Sequence, residues 1–132
     1  SPETILDVAH NPQAARVLAE NLRIISGAGK IRAVFGVLAD KDIEGVIEPM
    51  VALVDQWYVA AVHQPRGASA EHVMQALRTQ MPDANAISYQ DLTEAYAQAC
   101  RDAGKNDKII VFGSFFTVSE IMLAMRSLEL LG

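Results

Sequence analysis

The sequence has 132 residues, of which 51% are apolar and 20% are charged, and its formal net charge is -5 at pH 7. This length suits one domain with its own core, and the composition differs from that of disordered chains. Acidic and basic residues are scattered, which excludes the basic patch of a nucleic-acid-binding protein. The longest apolar runs are too short to cross a bilayer, so no membrane role is expected.

Five short apolar segments alternate with longer helical patterns along the chain. Strands are predicted at residues 4–9, 31–38, 56–62, 84–89 and 108–113. Repeated βα units of this kind form a mostly parallel sheet with right-handed crossovers and helices on both faces. The sequence therefore predicts an α/β, Rossmann-like domain of three layers.

Capping residues and glycines mark several helix boundaries. Asn11 and Pro12 suit the cap and first turn of the helix that follows the first strand. Capping-box spacing at residues 91–94 and 117–120 predicts two later helix starts. Gly104 is predicted to end the fourth helix in left-handed backbone.

The single cysteine, Cys100, has no partner for an internal disulfide. It lies in a predicted helix, where a semi-buried structural thiol is favoured over a nucleophile, and this usage fits a cytoplasmic protein. Because the chain begins without a methionine, we expect residues 1–132 to be one domain taken from a longer protein.

The first candidate site residues follow the first strand. In an open parallel sheet, ligands bind beyond the carboxyl ends of the strands, where helices begin. A carboxylate such as Asp7 can accept both hydroxyls of a ribose there, and the imidazole of His10 can meet a carboxylate or phosphate. The alternative is that Asp7 only caps a turn and that His10 packs beside Asn11.

Other polar residues follow the later strands. Ser114 can bind an anion such as an amino-acid carboxylate at the mouth of the last helix, or it only caps that helix. The acidic residues beside Lys41, Asp40 and Asp42, can reach a magnesium-bound phosphate, or only cap the next helix. Arg66 is a candidate anion ligand, or an ordinary surface arginine.

Metal and triphosphate sites are not predicted. His63 and His72 lack the spacing of zinc ligands, and Trp57 and Tyr58 are expected to pack within a strand. The chain has neither a P-loop nor a Gly-x-Gly-x-x-Gly motif, so it is not expected to cradle a triphosphate by itself. We assign no catalytic residue and no metal ligand to it.

Four segments in chain order resemble the folylpolyglutamate and Mur ligases. Residues 6–12 resemble the Asp-x-Ala-His-Asn-Pro motif that opens the C-terminal domain of this family, and residues 34–42 and 65–67 resemble its next two loops. Residues 111–118 resemble the last strand and helix of the folate branch, whereas Mur ligases usually lack this Gly-Ser-Phe ending. The resemblance implies the fold of a Mur ligase C-terminal domain.

The resemblance also implies an ATP-dependent amide ligase of folate biosynthesis and one-carbon metabolism. In this family a pteroate or folate carboxylate is phosphorylated, and the amine of L-glutamate then displaces the phosphate. ATP and Mg2+ would be bound mainly by a central domain outside this chain, with dihydropteroate or tetrahydrofolate as the acceptor. Relatives act as monomers, so a monomer is expected.

Residue roles carry over by motif. Asp7 would bind the ATP ribose, with Lys41 and Asp42 also assigned to the nucleotide. His10 and Ser114 would line the glutamate pocket, and Arg66 is also assigned to the substrate. The isolated chain is expected to be inactive, since most phosphate contacts would lie elsewhere.

Three alternatives remain at this stage. A freestanding Rossmann-like module would use the same polar groups as a complete nucleotide or small-molecule site, and would bind a nucleotide as this chain alone. The C-terminal domain of a Mur peptidoglycan ligase would share the first motif. A purely structural domain would tolerate changes at Asp7, His10 and Ser114.

Overall fold

The computed structural model describes residues 2–25, 27 and 29–131, and side chains within this range except those of 128–131. The strands are β1 (Glu3–Leu6), β2 (Ile31–Phe35), β3 (Gln56–Ala60), β4 (Ala86–Tyr89) and β5 (Lys108–Phe112). They form a sheet in the order β1-β5-β2-β3-β4, and every pairing is parallel. The predicted α/β, Rossmann-like architecture is confirmed.

Helices cover both faces of the sheet. They are α1 (Pro12–Ile25), α2 (Ile43–Ile47), α3 (Ala70–Gln80), α4 (Leu92–Asp102) and α5 (Phe115–Leu131), with a short 3-10 turn after α2. The first three helices pack on one face and the last two on the other. Within the described part of the chain, no helix is long and apolar enough to cross a membrane.

The central strands β2, β3 and β5 are buried on both faces, because helices cover each side of the sheet. Under α1, α2 and α3, the ring centroids of Phe35 and Phe112 lie 4.7 Å apart, and Trp57 packs edge-on against Phe35. Tyr58 is buried on the opposite face beneath α4. The prediction that Trp57 and Tyr58 lie in a strand and pack against helices is confirmed.

Three strands end at least two residues earlier than predicted, and β5 ends one residue earlier, at Phe112. β1 ends at Leu6, β2 at Phe35 and β3 at Ala60, instead of at residues 9, 38 and 62. Beyond these residues the chain leaves the sheet, and contacts between loops that are distant in sequence replace the ladder. An antiparallel bridge, for example, pairs Leu38 with Gly67.

Two of the three predicted helix starts are confirmed. The Asn11 side chain accepts the N–H of Ala14, and the Asp91 side chain accepts the N–H of Glu94, both at 2.8 Å. The predicted start at Thr117 is wrong. The last helix begins at Phe115, and Thr117 lies in its first turn.

Two further predictions about α4 are wrong. This helix ends at Asp102 with extended backbone at Ala103, and Gly104 is not left-handed. Cys100 is exposed instead of semi-buried, because it faces an open cavity between α4 and α5.

Candidate functional site

Hydrogen bonds join the loops that follow four strands, and we call these loops the rim: residues 7–11, 36–42, 61–69 and 113–114. The N–H of Gly113 donates to Ala9 O at 3.0 Å, which joins the loops after β5 and β1. The N–H of Ala39 donates to Arg66 O at 2.7 Å, which joins the loops after β2 and β3. The polar groups predicted from sequence therefore share one edge of the sheet.

Gly113 brings the loops after β5 and β2 into close contact. Its φ of 123° is a left-handed conformation that favours glycine, and an added Cβ would lie 2.0 Å from Gly36 O. The structure requires glycine here on both grounds. The following residue, Ser114, is consequently held at the start of α5.

Asp7 and His10 lie on the loop between β1 and α1. Asp7 is half-buried, and its Oδ1 accepts the N–H of Ala9 at 2.8 Å. Among the described residues, no hydrogen bond to Asp7 Oδ2 is found. Oδ2 is therefore the atom of this carboxylate that can accept hydrogen bonds from a ligand.

His10 is exposed, and its Nδ1 lies 2.9 Å from Val8 O. A carbonyl oxygen only accepts hydrogen bonds, so Nδ1 carries the hydrogen in this contact. In the neutral ring, the hydrogen bond therefore leaves Nε2 as an acceptor. The contact fixes both the orientation of the imidazole and the nitrogen that it offers to a ligand.

Ser114 is buried, with 4% of its surface exposed, and caps α5. Its Oγ accepts the N–H of Thr117 at 3.0 Å, while Thr117 Oγ1 donates to Gly36 O at 2.7 Å. The Ser114 hydroxyl must then donate to Thr117 Oγ1, which lies 2.8 Å away. Its hydroxyl is occupied within the protein, so the backbone N–H groups of the first turn are the donors left for an anion.

Thr117 is a contributor to the rim that sequence reasoning missed. Its hydroxyl reaches across to the loop after β2, although 81 residues separate it from Gly36. In the sequence, Thr117 was interpreted as the cap of a helix because Glu120 follows it by three residues, and that spacing indicated a helix start at the wrong residue. The long-range bond itself has no sequence signature.

The loop after β2 holds the remaining nucleotide candidates. Asp42 Oδ1 accepts the N–H of Gly45 at 3.0 Å, so this carboxylate caps α2, while Lys41 is half-exposed beside it. A Cβ at Gly45 would lie 2.7 Å from Pro12 Cγ. The starts of α1 and α2 are therefore in contact, which brings Lys41 and Asp42 to the side of the rim that carries His10.

Arg66 forms an ion pair with Asp40, and the two side chains are 63% and 51% exposed. The hydrogen bond from Arg66 lowers the pKa of Asp40 below its ordinary value. The pair joins the loops after β2 and β3 at the surface. Arg66 is therefore on the rim as predicted, with its charge balanced by a neighbouring carboxylate.

Metal ligands do not cluster on the described part of the chain: no three His, Cys, Asp or Glu side chains there are placed to hold an ion. The rim instead offers Oδ2 of Asp7, Nε2 of His10 and several helix starts. Such groups suit the hydroxyls of a sugar and the charged ends of an amino acid.

Comparison with known proteins places the chain in a family. Residues 1–115 match the family model described as Mur ligase, glutamate ligase domain. The chain is 39% identical over 122 residues to the dihydrofolate synthase/folylpolyglutamate synthase of Escherichia coli K12, covering 92% of this chain and 28% of that protein. The Haemophilus influenzae protein of the same name is 38% identical, covering 90% of this chain and 28% of its own.

Solved structures give the same result. Escherichia coli FolC in complex with DHPP and ADP superposes with a TM-score of 0.88 at 36% identity, covering 96% of this chain and 29% of that one. A bifunctional folylpolyglutamate synthase/dihydrofolate synthase with Mn, AMPPNP and L-glutamate bound gives 0.81 at 42% identity, covering 96% and 30%. This chain belongs to the Mur ligase family of glutamate ligase domains. It spans less than a third of the length of these relatives.

Proposed function

We propose that this chain is the C-terminal, glutamate-handling domain of an ATP-dependent ligase that joins L-glutamate to dihydropteroate or a folate. One observation carries the proposal. The loop with Asp7 and His10 is hydrogen-bonded to the start of α5 at Gly113, in a family with a solved member that binds AMPPNP and L-glutamate. A nucleotide sugar and an amino acid can thus meet at adjacent groups.

We assign different roles to Asp7 and His10, the two polar residues of the loop between β1 and α1. Asp7 Oδ2 accepts hydrogen bonds from the hydroxyls of the ATP ribose, while Oδ1 remains bonded to Ala9. His10 Nε2 accepts a hydrogen bond from the amine of the incoming glutamate, since Nδ1 is held by Val8 O. This contact positions the amine before it attacks the activated folate carboxylate.

The start of α5 holds the carboxylate of glutamate. Backbone N–H groups of its first turn point along the helix axis, where partial positive charge favours an anion. Ser114 acts through its cap, which keeps that turn in place against Gly36 through Thr117. The domain thus contributes binding and orientation, and no proton-transfer group is required of it.

The remaining rim residues have secondary assignments. Lys41 and Asp42 are proposed nucleotide contacts, supported by their position beside the start of α1. Arg66 is a proposed substrate contact, supported by its exposure on the rim. ATP supplies the phosphoryl group that activates the folate carboxylate, and both ATP and Mg2+ would be held mainly by the part of the ligase outside this chain.

We also propose that the complete ligase is a cytoplasmic monomer of folate and one-carbon metabolism, and that this chain alone is inactive. The described residues lack a cluster of metal ligands, and the sequence lacks a P-loop. Formation of ADP by the isolated 132 residues, with ATP, a folate and L-glutamate, would contradict this proposal.

The test is glutamate saturation of the complete ligase at fixed, saturating ATP. His10→Ala is expected to raise the KM for glutamate about tenfold or more while the KM for ATP changes little. Ser114→Ala is expected to act in the same direction, because the α5 cap is lost. Arg23→Ala is the control, since this exposed residue lies in the last turn of α1, at the end of the helix away from the rim. Normal glutamate kinetics in both rim variants would overturn the assignment.

A further inference from the structure

An open cavity of about 550 Å3 lies between the last two helices, and we call it the α4–α5 cavity. Its described lining consists of Thr93, Tyr96, Ala97 and Cys100 of α4 with Glu120, Leu123, Ala124 and Ser127 of α5. None of these residues belongs to the rim. The volume falls within the range of roughly 300–1,000 Å3 that is usual for small-molecule sites. The cavity is therefore large enough to hold a small molecule at a place distinct from the proposed glutamate site.

The spacing of these residues explains why the two helices leave this space. On each helix the lining residues are at positions i, i+3, i+4 and i+7, which form the single face that one helix turns toward another. Near the rim the helices are joined, because Glu120 Oε2 accepts the N–H of Thr93 at 3.1 Å and its hydroxyl at 3.2 Å. Farther along, the facing side chains include the short ones of Ala97, Cys100 and Ala124, which leave the space between the helices unfilled.

The chemistry of the lining indicates what kind of molecule the cavity suits. Most of its surface is apolar, Glu120 is the one carboxylate of the described lining, and no lysine, arginine or histidine is part of that lining. Glu120 forms no ion pair with the described residues, and its Oε1 has no hydrogen bond to them. Burial raises the pKa of the Tyr96 phenol, which therefore stays neutral. An apolar site with one carboxylate oxygen free to accept favours an apolar molecule with a cationic group.

We propose that the α4–α5 cavity is a binding site for a small apolar molecule that carries a protonated amine. The apolar part of the molecule lies between the two helices against Ala97, Leu123 and Ala124, and its ammonium group donates to Glu120 Oε1. The ammonium balances the charge of a carboxylate that lies in apolar surroundings, whereas an anion of the same size is repelled. The site does not depend on the proposed function, because none of its residues is assigned to ATP or to glutamate.

Cys100 can report whether the cavity is filled. Its thiol is exposed, and the residue lines the cavity two helical turns beyond Thr93, toward the end away from the rim. It is also the only cysteine of this chain. A molecule that occupies the space between the helices therefore covers the thiol and slows its alkylation.

The experiment uses the complete ligase without ATP, folate or glutamate, and its probe is 1-naphthylmethylammonium. Isothermal titration calorimetry compares the affinity of this cation with that of 1-naphthylacetate, which has the same rings and the opposite charge. The cation is expected to bind about tenfold more tightly or better. At a probe concentration about ten times its Kd, alkylation of Cys100 by iodoacetamide is expected to slow about tenfold. Mass spectrometry of the peptide that contains Cys100 measures that rate.

Two variants change the charge and the volume of the cavity separately. Glu120→Gln keeps an oxygen that can accept from Thr93, and it is expected to weaken binding of the cation about tenfold and to remove its advantage over the anion. Ala97→Leu fills the space between the helices and is expected to abolish binding of both probes.

Glu94→Gln is the control, because this exposed carboxylate is also on α4 but does not line the cavity, so the affinity should not change. Equal affinities of the unaltered ligase for the two probes would overturn the proposal, and so would unchanged binding in both Glu120→Gln and Ala97→Leu. Alkylation of Cys100 at its full rate with the probe bound would also overturn it, since the probe would then lie elsewhere.

Discussion

The two edges of the sheet use polar residues in opposite ways. Near the amino edge, Arg32 donates to Asp107 at 3.1 Å and to the Tyr58 hydroxyl at 2.9 Å, and that hydroxyl donates to Asp102 at 2.8 Å. At the carboxyl edge, His10 is exposed, and its one hydrogen bond to the described residues is to Val8 O in its own loop. The polar groups near the amino edge bond to one another, whereas Nε2 of His10 remains an acceptor for a proposed ligand.

Burial and hydrogen bonding shift the pKa values of two groups near the amino edge. Burial and the hydrogen bond to Asp102 raise the pKa of Tyr58 to about 12. Backbone N–H groups of Gly104 and Lys30 lower the pKa of Asp107. The comparison teaches that the polar network near the amino edge supports the fold, whereas the proposed binding edge keeps acceptor atoms that have no hydrogen bond to the described residues.

The largest effect is expected from Gly113→Ala, which tests how rigidly the open edge is built. The new Cβ would lie 2.0 Å from Gly36 O in backbone with φ of 123°, so the free energy of unfolding should fall by about 3 kcal/mol or more. Urea unfolding of the ligase measures it. Gly104→Ala is the control, because the nearest contact there is 4.0 Å away. Equal losses in both variants would contradict the account.

Sequence alone predicts much of the fold. The β-branched runs indicate all five strands, because buried parallel strands are nearly continuous apolar segments. Asn11 and Asp91 identify two helix starts through local capping. The predicted ends of β1 and β2, at residues 9 and 38, lie beyond the observed ends at Leu6 and Phe35. The residues that follow each strand include apolar ones, and they leave the sheet because of contacts with distant loops.

The candidate site was less accessible to sequence reasoning. The motif at residues 6–12 identified Asp7 and His10, whose roles remain predictions. The burial of Ser114 depends on Thr117 bonding to Gly36, and the pairing of Arg66 depends on the loop after β2. Both contacts join residues far apart in the chain, so they cannot be predicted from the spacing of neighbouring residues.

A smaller effect is expected from Tyr58→Phe, which opens the closed edge. The change leaves Arg32 and Asp102 without a shared partner, so stability should fall by about 1–3 kcal/mol while glutamate kinetics stay normal. Tyr89→Phe is the control, because its ring stacks on Tyr58 and its hydroxyl has no hydrogen bond to the described residues. A shift in the KM for glutamate in Tyr58→Phe would break the distinction between the two edges.

The stability of the fold at acid pH should depend on Asp107, which belongs to the polar network near the amino edge. The pKa of Asp107 lies below its ordinary value of 3.8, so the ionised carboxylate stabilises the fold above that pH. This contribution is lost as the pH falls through the lowered pKa. Asp107→Asn is therefore expected to flatten the acid limb of stability against pH, measured by thermal unfolding below pH 4. An unchanged acid limb would show that Asp107 contributes little.

The smallest effect is expected from Asp40→Asn. This ion pair with Arg66 is at the surface, where water screens the charges, so the melting temperature should not change measurably. Arg66→Lys, which keeps the charge, is the matched variant. A loss of stability as large as that in Tyr58→Phe would show that the carboxyl edge also depends on its ion pair.

The most direct test of the central claim compares one residue from each edge in the complete ligase. The KM for glutamate at saturating ATP is measured for His10→Ala beside Tyr58→Phe, together with the melting temperature of each. The account predicts a KM raised about tenfold or more with normal stability in His10→Ala, and a normal KM with reduced stability in Tyr58→Phe. An unaltered KM in His10→Ala, or an equal rise in both variants, would contradict it.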